Sequence, residues 1–136
     1  MRYLLSSPAV VRAFRSILLA TVLAGCGSDA LAPFQPEVSN VADNFSLQAT
    51  GVTNVSAIVS YSWPNSGTRA TINHSTTTQA GSTLLVIKDG AGTTVYSKAL
   101  SPSLNEPTTV GIAGTWTIQV TLTNYSGTIN FLAQKL

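Results

Sequence analysis

From Asn44 to the C-terminus, apolar and polar side chains alternate in short runs separated by Gly, Pro, Asn and Ser. That is the period of strands with one covered face. The clearest run is 115–123, where Trp116, Ile118, Val120 and Leu122 share one parity and Thr117, Gln119 and Thr121 the other. In 53–63, Val55, Ala57, Val59, Tyr61 and Trp63 fall together, with Ile58 breaking the rule. Residues 44–50 align Phe45, Leu47 and Ala49, and residues 128–134 align Ile129, Phe131 and Ala133. Further strands are predicted at 68–75, 83–88, 93–100 and 108–112. The run 83–88 is almost continuously apolar and so reads as covered on both faces. Pro64-Asn65-Ser66-Gly67, Asp89-Gly90-Ala91-Gly92 and Asn124-Tyr125-Ser126-Gly127 are turns by composition, the second closing a hairpin. Residues 76–81 read as a polar loop and 101–107, with two prolines, as a longer connection.

About eight strands with turn signals every ~8 to 12 residues predict an all-β fold. The expected form is a two-sheet antiparallel β-sandwich with Greek-key or jelly-roll connections, occupying 43–136. A domain of that size buries enough surface to fold without disulfides or metals. Ahead of it, 26–42 carries Gly27, Ser28, Pro33, Pro36 and Ser39 with little apolar pattern. It reads as a flexible tether of roughly 20 Å end-to-end reach.

Residues 1–25 read as a cleaved signal. Arg2, Arg12 and Arg15 precede a short apolar run, 17–23, interrupted by Thr21. A membrane-spanning helix needs roughly 20 apolar residues, so this run is too short for a permanent anchor. The Leu23-Ala24-Gly25-Cys26 motif resembles the lipobox of bacterial lipoproteins. The resemblance implies cleavage before Cys26 and lipidation of its sulfur, which is the only thiol in the chain. Gly27 stands where an aspartate would imply retention in the inner membrane, so the implied location is the cell envelope, lipid-anchored at the outer membrane, facing periplasm or cell surface.

Cleavage there changes the charge. The precursor is +2, but Cys26 onward keeps four basic residues, Arg69, Lys88, Lys98 and Lys135, against five acidic ones, Asp29, Glu37, Asp43, Asp89 and Glu106. No basic stripe remains to neutralise a phosphate backbone, which disfavours nucleic acid as a partner. The expected partners are the membrane, through lipidated Cys26, and envelope proteins or polysaccharide.

A second resemblance lies in 83–131. Gly114-Thr115-Trp116-Thr117-Ile118-Gln119-Val120, followed by Gly127-Thr128-Ile129-Asn130-Phe131, resembles the closing hairpin of the bacterial pre-peptidase C-terminal domain and the related P-domain. Leu84-Leu85-Val86-Ile87-Lys88-Asp89-Gly90-Ala91-Gly92 is similar to their strand, Asp-Gly turn and strand. This resemblance implies a non-catalytic sandwich of the kind that accompanies secreted hydrolases.

Candidate chemistry is sparse. His74 is the only histidine, and Ser75 beside it on a strand points to the opposite face. A nucleophile needs a base within reach and a third group to orient it, so no catalytic residues are expected. Asp43, Asp89 and Glu106 sit at predicted strand ends, where Ca²⁺ is the one cofactor worth testing, although an Asp before Gly also makes an Asx turn unaided. For a carbohydrate or peptidoglycan ligand, the candidates are Tyr125 and Asn124 in one predicted turn and Trp63 and Asn65 at another. The function expected is a lipid-anchored, non-catalytic envelope module with a structural or protein-interaction role, with polysaccharide binding as the alternative.

Overall fold

The computed structural model describes residues 29–136. The signal and Cys26 lie outside the described residues. The chain from Asp29 is all-β: after a short 3-10 turn at Ala32–Phe34 come β1 (Glu37–Val41), β2 (Asn44–Asn65), β3 (Ala70–His74), β4 (Thr77–Lys88), β5 (Thr94–Lys98), β6 (Leu104–Pro107) and β7 (Gly114–Lys135). Every pairing is antiparallel.

Seven strands stand where eight were expected: two predicted pairs are each one strand, 108–112 is not a strand, and β1 and β6 are added. The runs 44–50 and 53–63 join as β2, and 115–123 and 128–134 join as β7, each 22 residues long. Neither strand is straight. Phe45 and Tyr61 both belong to β2 and would lie about 50 Å apart along an extended strand, yet their ring centroids are 5.1 Å apart. The Trp63 indole N–H likewise donates to the Val41 carbonyl at 3.2 Å. β2 therefore doubles back on itself, and β7, paired with it from end to end, bends alongside.

The bend runs along one line of irregularities. Positive φ occurs at Gly51 and Asn54 on β2, at Asn124 and Gly127 on β7, and at Gly81 on β4. The register shifts at those levels, between Ala49 and Ala57 on β2 and between Thr78 and Ser82 on β4. Bulges of this kind turn a strand while leaving the ladder on either side intact. One layer thus holds β1, the first half of β2, the second half of β7, β3 and β6. The other holds the second half of β2, the first half of β7, β4 and β5.

The alternation read from the sequence fills the space between the layers. Phe45, Leu47, Ala49, Trp63, Trp116, Ile118, Val120, Ile129, Phe131 and Ala133 are all buried. Phe45 stacks on Phe131 at 5.6 Å, and Trp63 meets Trp116 edge-on at 5.8 Å. β4 departs from its reading: Leu85 and Ile87 are buried, but Leu84 is 41% exposed, so only one face is covered.

Four further boundaries differ, the first being that β4 begins at Thr77, inside the expected polar loop 76–81. In the described part of the expected tether, Leu31 is wholly buried, Phe34 packs against the core and β1 pairs with β2 over Glu37–Val41, so this stretch is part of the domain and not a tether. β6 lies inside the predicted 101–107 connection and pairs with β3. Residues 108–112, expected as a strand, form an irregular strap instead. Its Thr108 N–H donates to the Ala70 carbonyl, Thr109 N–H to Val95 and Gly111 N–H to Thr68, so its amides bond to both layers. The β4–β5 hairpin is present as expected.

Candidate functional site

The ligand candidates divide once the layers close. Tyr125 was expected in a turn, but it sits in the middle of β7 with no exposure, its hydroxyl donating to the Thr77 carbonyl at 2.9 Å. Trp63 is buried against Trp116, and Asn65 is buried with its Oδ1 accepting the Gly67 N–H at 2.9 Å. Asn124 remains exposed but is held in the bend: its N–H donates to Ser56 Oγ at 2.8 Å, and Ser56 Oγ–H donates to Asn124 Oδ1 at 3.1 Å. The four residues do not gather, and neither aromatic is available as a stacking platform. Composition misled here because a bulge and a tight turn both call for residues that accept positive φ.

The acids are occupied by the fold. Asp89 Oδ1 accepts from the Ala91 and Thr93 N–H groups at 3.0 and 2.8 Å, and Oδ2 accepts from Ile112 N–H at 2.9 Å. This fixes the hairpin turn and pins the strap to it. The same backbone donors, Thr93 first, hold its carboxyl below the usual aspartate range. Asp43 accepts from the Ser66 N–H at 2.7 Å and the Ser66 hydroxyl at 2.9 Å and pairs with Lys135 at 3.2 Å, which lowers its pKa as well. Glu106 pairs with Lys98 across the layers. Among the described residues no three His, Cys, Asp or Glu side chains converge.

Tertiary structure does assemble one polar cluster that the pattern of residues could not reveal. His74 on β3 is buried from solvent, and its Nε2 lies 3.3 Å from the Tyr96 hydroxyl on β5. Glu106 on β6 and Lys98 on β5 complete the group where the free edges of the two layers meet. Burial lowers the His74 pKa; the Leu100 backbone and the Glu106 charge oppose that shift. Burial and Glu106 together push the Tyr96 phenol up. Its members are 32 residues apart in sequence, from His74 to Glu106, with no spacing that marks them. Chemically the group is an acid–base pair capped by an ion pair. A general base must come within hydrogen-bond reach of a substrate proton, and this imidazole is covered on all sides, so what the cluster does in this conformation is join β3 and β6 to β5. Ser75 is exposed on the opposite face, its Oγ accepting from Asn130 Nδ2 at 2.9 Å.

Shallow recesses lie on the outside. One, over the outer face of β1 and β2, is bordered by Glu37, Ser39, Ser46, Gln48 and Asn130. Another follows the edge of β2 beside Asp29, Ala30, Ile58 and Ser60. Fold and site together define a small two-layered all-β domain with a closed core. No family model matches the chain, and neither the curated proteins nor the solved structures searched contain a match.

Proposed function

We propose that the protein is a lipid-anchored, non-catalytic module of the bacterial cell envelope with a structural or protein-interaction role. The observation that carries this reading is Leu23-Ala24-Gly25-Cys26, behind basic residues and a short apolar run, with the chain's only thiol at the point where a lipobox places it. Supporting it, Asp43, Asp89 and His74 serve hydrogen bonds and ion pairs that tie parts of the fold together. A diacylglyceryl cysteine carries at least two acyl chains, which reaches the roughly two membrane signals that stable anchoring needs. The polysaccharide alternative loses its best support with Trp63 and Tyr125 in the core.

The test is fractionation of cells producing the full chain and its Cys26→Ala form. The intact protein should partition with membranes and into detergent, whereas Cys26→Ala should leave an uncleaved precursor or a soluble product. A mutant still processed and still membrane-bound would refute the anchor.

A further inference from the structure

The start of the domain sits very near the anchor. Asp29 Oδ1 accepts the Leu31 N–H at 3.0 Å, its carbonyl accepts the Ala32 N–H at 2.8 Å, and the Leu31 side chain is fully enclosed by the core. The folded body therefore includes Asp29, three residues after Cys26. Whatever conformation those links adopt, they reach at most about 10 Å. The headgroup zone on each side of a bilayer is itself roughly 5 to 7 Å deep. A domain joined to its lipid by so short a link cannot stand clear of the surface, and the part of it nearest Asp29 must lie against the headgroups.

That part is the outer edge of the second half of β2. Over 57–65 this strand pairs with β7 on one side only. Asp29, Ala30, Ala57, Ser60 and Tyr61 border a recess there, beside Ile58, the residue that broke the alternation and is 64% exposed. Asp29 is the one charged residue on that border. The lysines of the same layer, Lys88 and Lys98, lie on β4 and β5. An isoleucine among serines, on a strand that no second neighbouring strand covers, suits the apolar-to-polar boundary of an interface without calling for anionic lipid.

We propose that this edge, with Ile58 at its centre, is the face on which the domain rests on its own membrane. The proposal rests on the lipidation of Cys26 and adds an orientation to it. The far edge of the same layer, β5, then points away from the bilayer. Ser60, Gln119, Val86 and Ser97 form one row across the four strands, which places Ser97 about 14 Å from Ser60.

Acylation blocks the only native thiol, so an introduced cysteine is the sole labelling site. The full chain is produced with its signal as Ile58→Cys and, separately, Ser97→Cys. Each is labelled with a fluorophore and reconstituted in phosphatidylethanolamine and phosphatidylglycerol vesicles containing a headgroup-nitroxide lipid. Ser60→Cys, on the same exposed face, replaces Ile58→Cys if the latter folds poorly. Mass spectrometry of the N-terminal peptide reports acylation independently. The expected result is an acylated peptide with quenching severalfold stronger at position 58 than at 97. An acylated protein quenched equally at both positions, or more at 97, overturns the orientation alone. A label at 58 shielded from aqueous quencher yet untouched by the nitroxide lipid would mean that a protein partner covers the edge, and would also overturn it. A peptide without acyl chains refutes the anchor, and the orientation with it.

Discussion

Trp63 and Trp116 are cross-strand partners whose rings meet at 85°, each indole N–H donating to a carbonyl outside its own pair, Val41 for the first and Ile112 for the second at 2.8 Å. An indole buried with its polar handle satisfied contributes both area and a bond. Trp116→Ala should cost about 3 to 5 kcal/mol of unfolding free energy by chemical denaturation, a large share of the roughly 5 to 15 kcal/mol such a domain holds. Thr117 and Gln119 point to the outer face, so their replacement by Ser and Asn should stay within about 0.5 kcal/mol. Tyrosine gives a second test at this scale. All three tyrosines among the described residues have raised pKa values, Tyr61 to about 12 through burial and then the Asp29 charge, Tyr96 and Tyr125 chiefly through burial. A phenol whose folded pKa exceeds its unfolded value of about 10 contributes stability below that pH and loses it above. Phenolate absorbance should stay low through pH ~10 to 11 and rise together with loss of the β-sheet dichroism. Early, independent ionisation of even one would place that hydroxyl in solvent.

At the scale of elements, the bend decides the architecture. At Gly127 (φ 147) an added Cβ would collide with the Thr77 carbonyl, and at Gly81 (φ 73) with the carbonyls of Thr123 and Asn124. Both obstacles are backbone, which has no free end to swing aside, so Gly127→Ala or Gly81→Ala should cost on the order of 3 kcal/mol. Gly92→Ala, with a positive φ but open space around it, should cost only about 1 to 2 kcal/mol. Thermal unfolding of the three variants measures the difference, and equal losses would show that space at the bend is not what matters. The same feature explains why β2 and β7 were each read as two strands. Asn-Tyr-Ser-Gly contains the residues that tolerate positive φ, and a chain that reverses and a chain that merely bends both need them. Only the continued pairing of Val52 with Gly127 and Val55 with Tyr125 shows which occurred.

For the whole molecule, the ionisable groups predict a stability that falls in two steps on acidification. His74 has a lowered pKa, so the folded state binds fewer protons than the unfolded one below the ordinary value of 6.5, and stability drops as pH falls from there towards the folded pKa. Asp43, Asp89 and Glu106 are also depressed, chiefly by hydrogen bonds, and their contribution is present above the unfolded carboxyl range and lost as pH falls through their folded values. Denaturant midpoints should decline first below pH ~6.5 and again below ~4, and His74→Phe should remove the first step while keeping the second. A first step unchanged in that variant would assign it elsewhere.

What the sequence determined by itself is local. Alternation marks the inward faces of 44–50, 115–123 and 128–134, because a strand's side chains point to opposite sides whatever the strand pairs with. The Asp89 turn was legible for a similar reason, since its carboxylate reaches the N–H groups of residues only two and four positions on. The proposed lipobox, Leu23-Ala24-Gly25-Cys26, is likewise a matter of four adjacent residues. Tertiary structure alone decided the rest. The pairing of His74 with Tyr96, the burial of Tyr125 and the docking of Leu31 depend on which strands lie across from one another. Those relations follow from how two long strands bend at a common line, and they are set by the packing of the two layers together rather than by any residue's own preference.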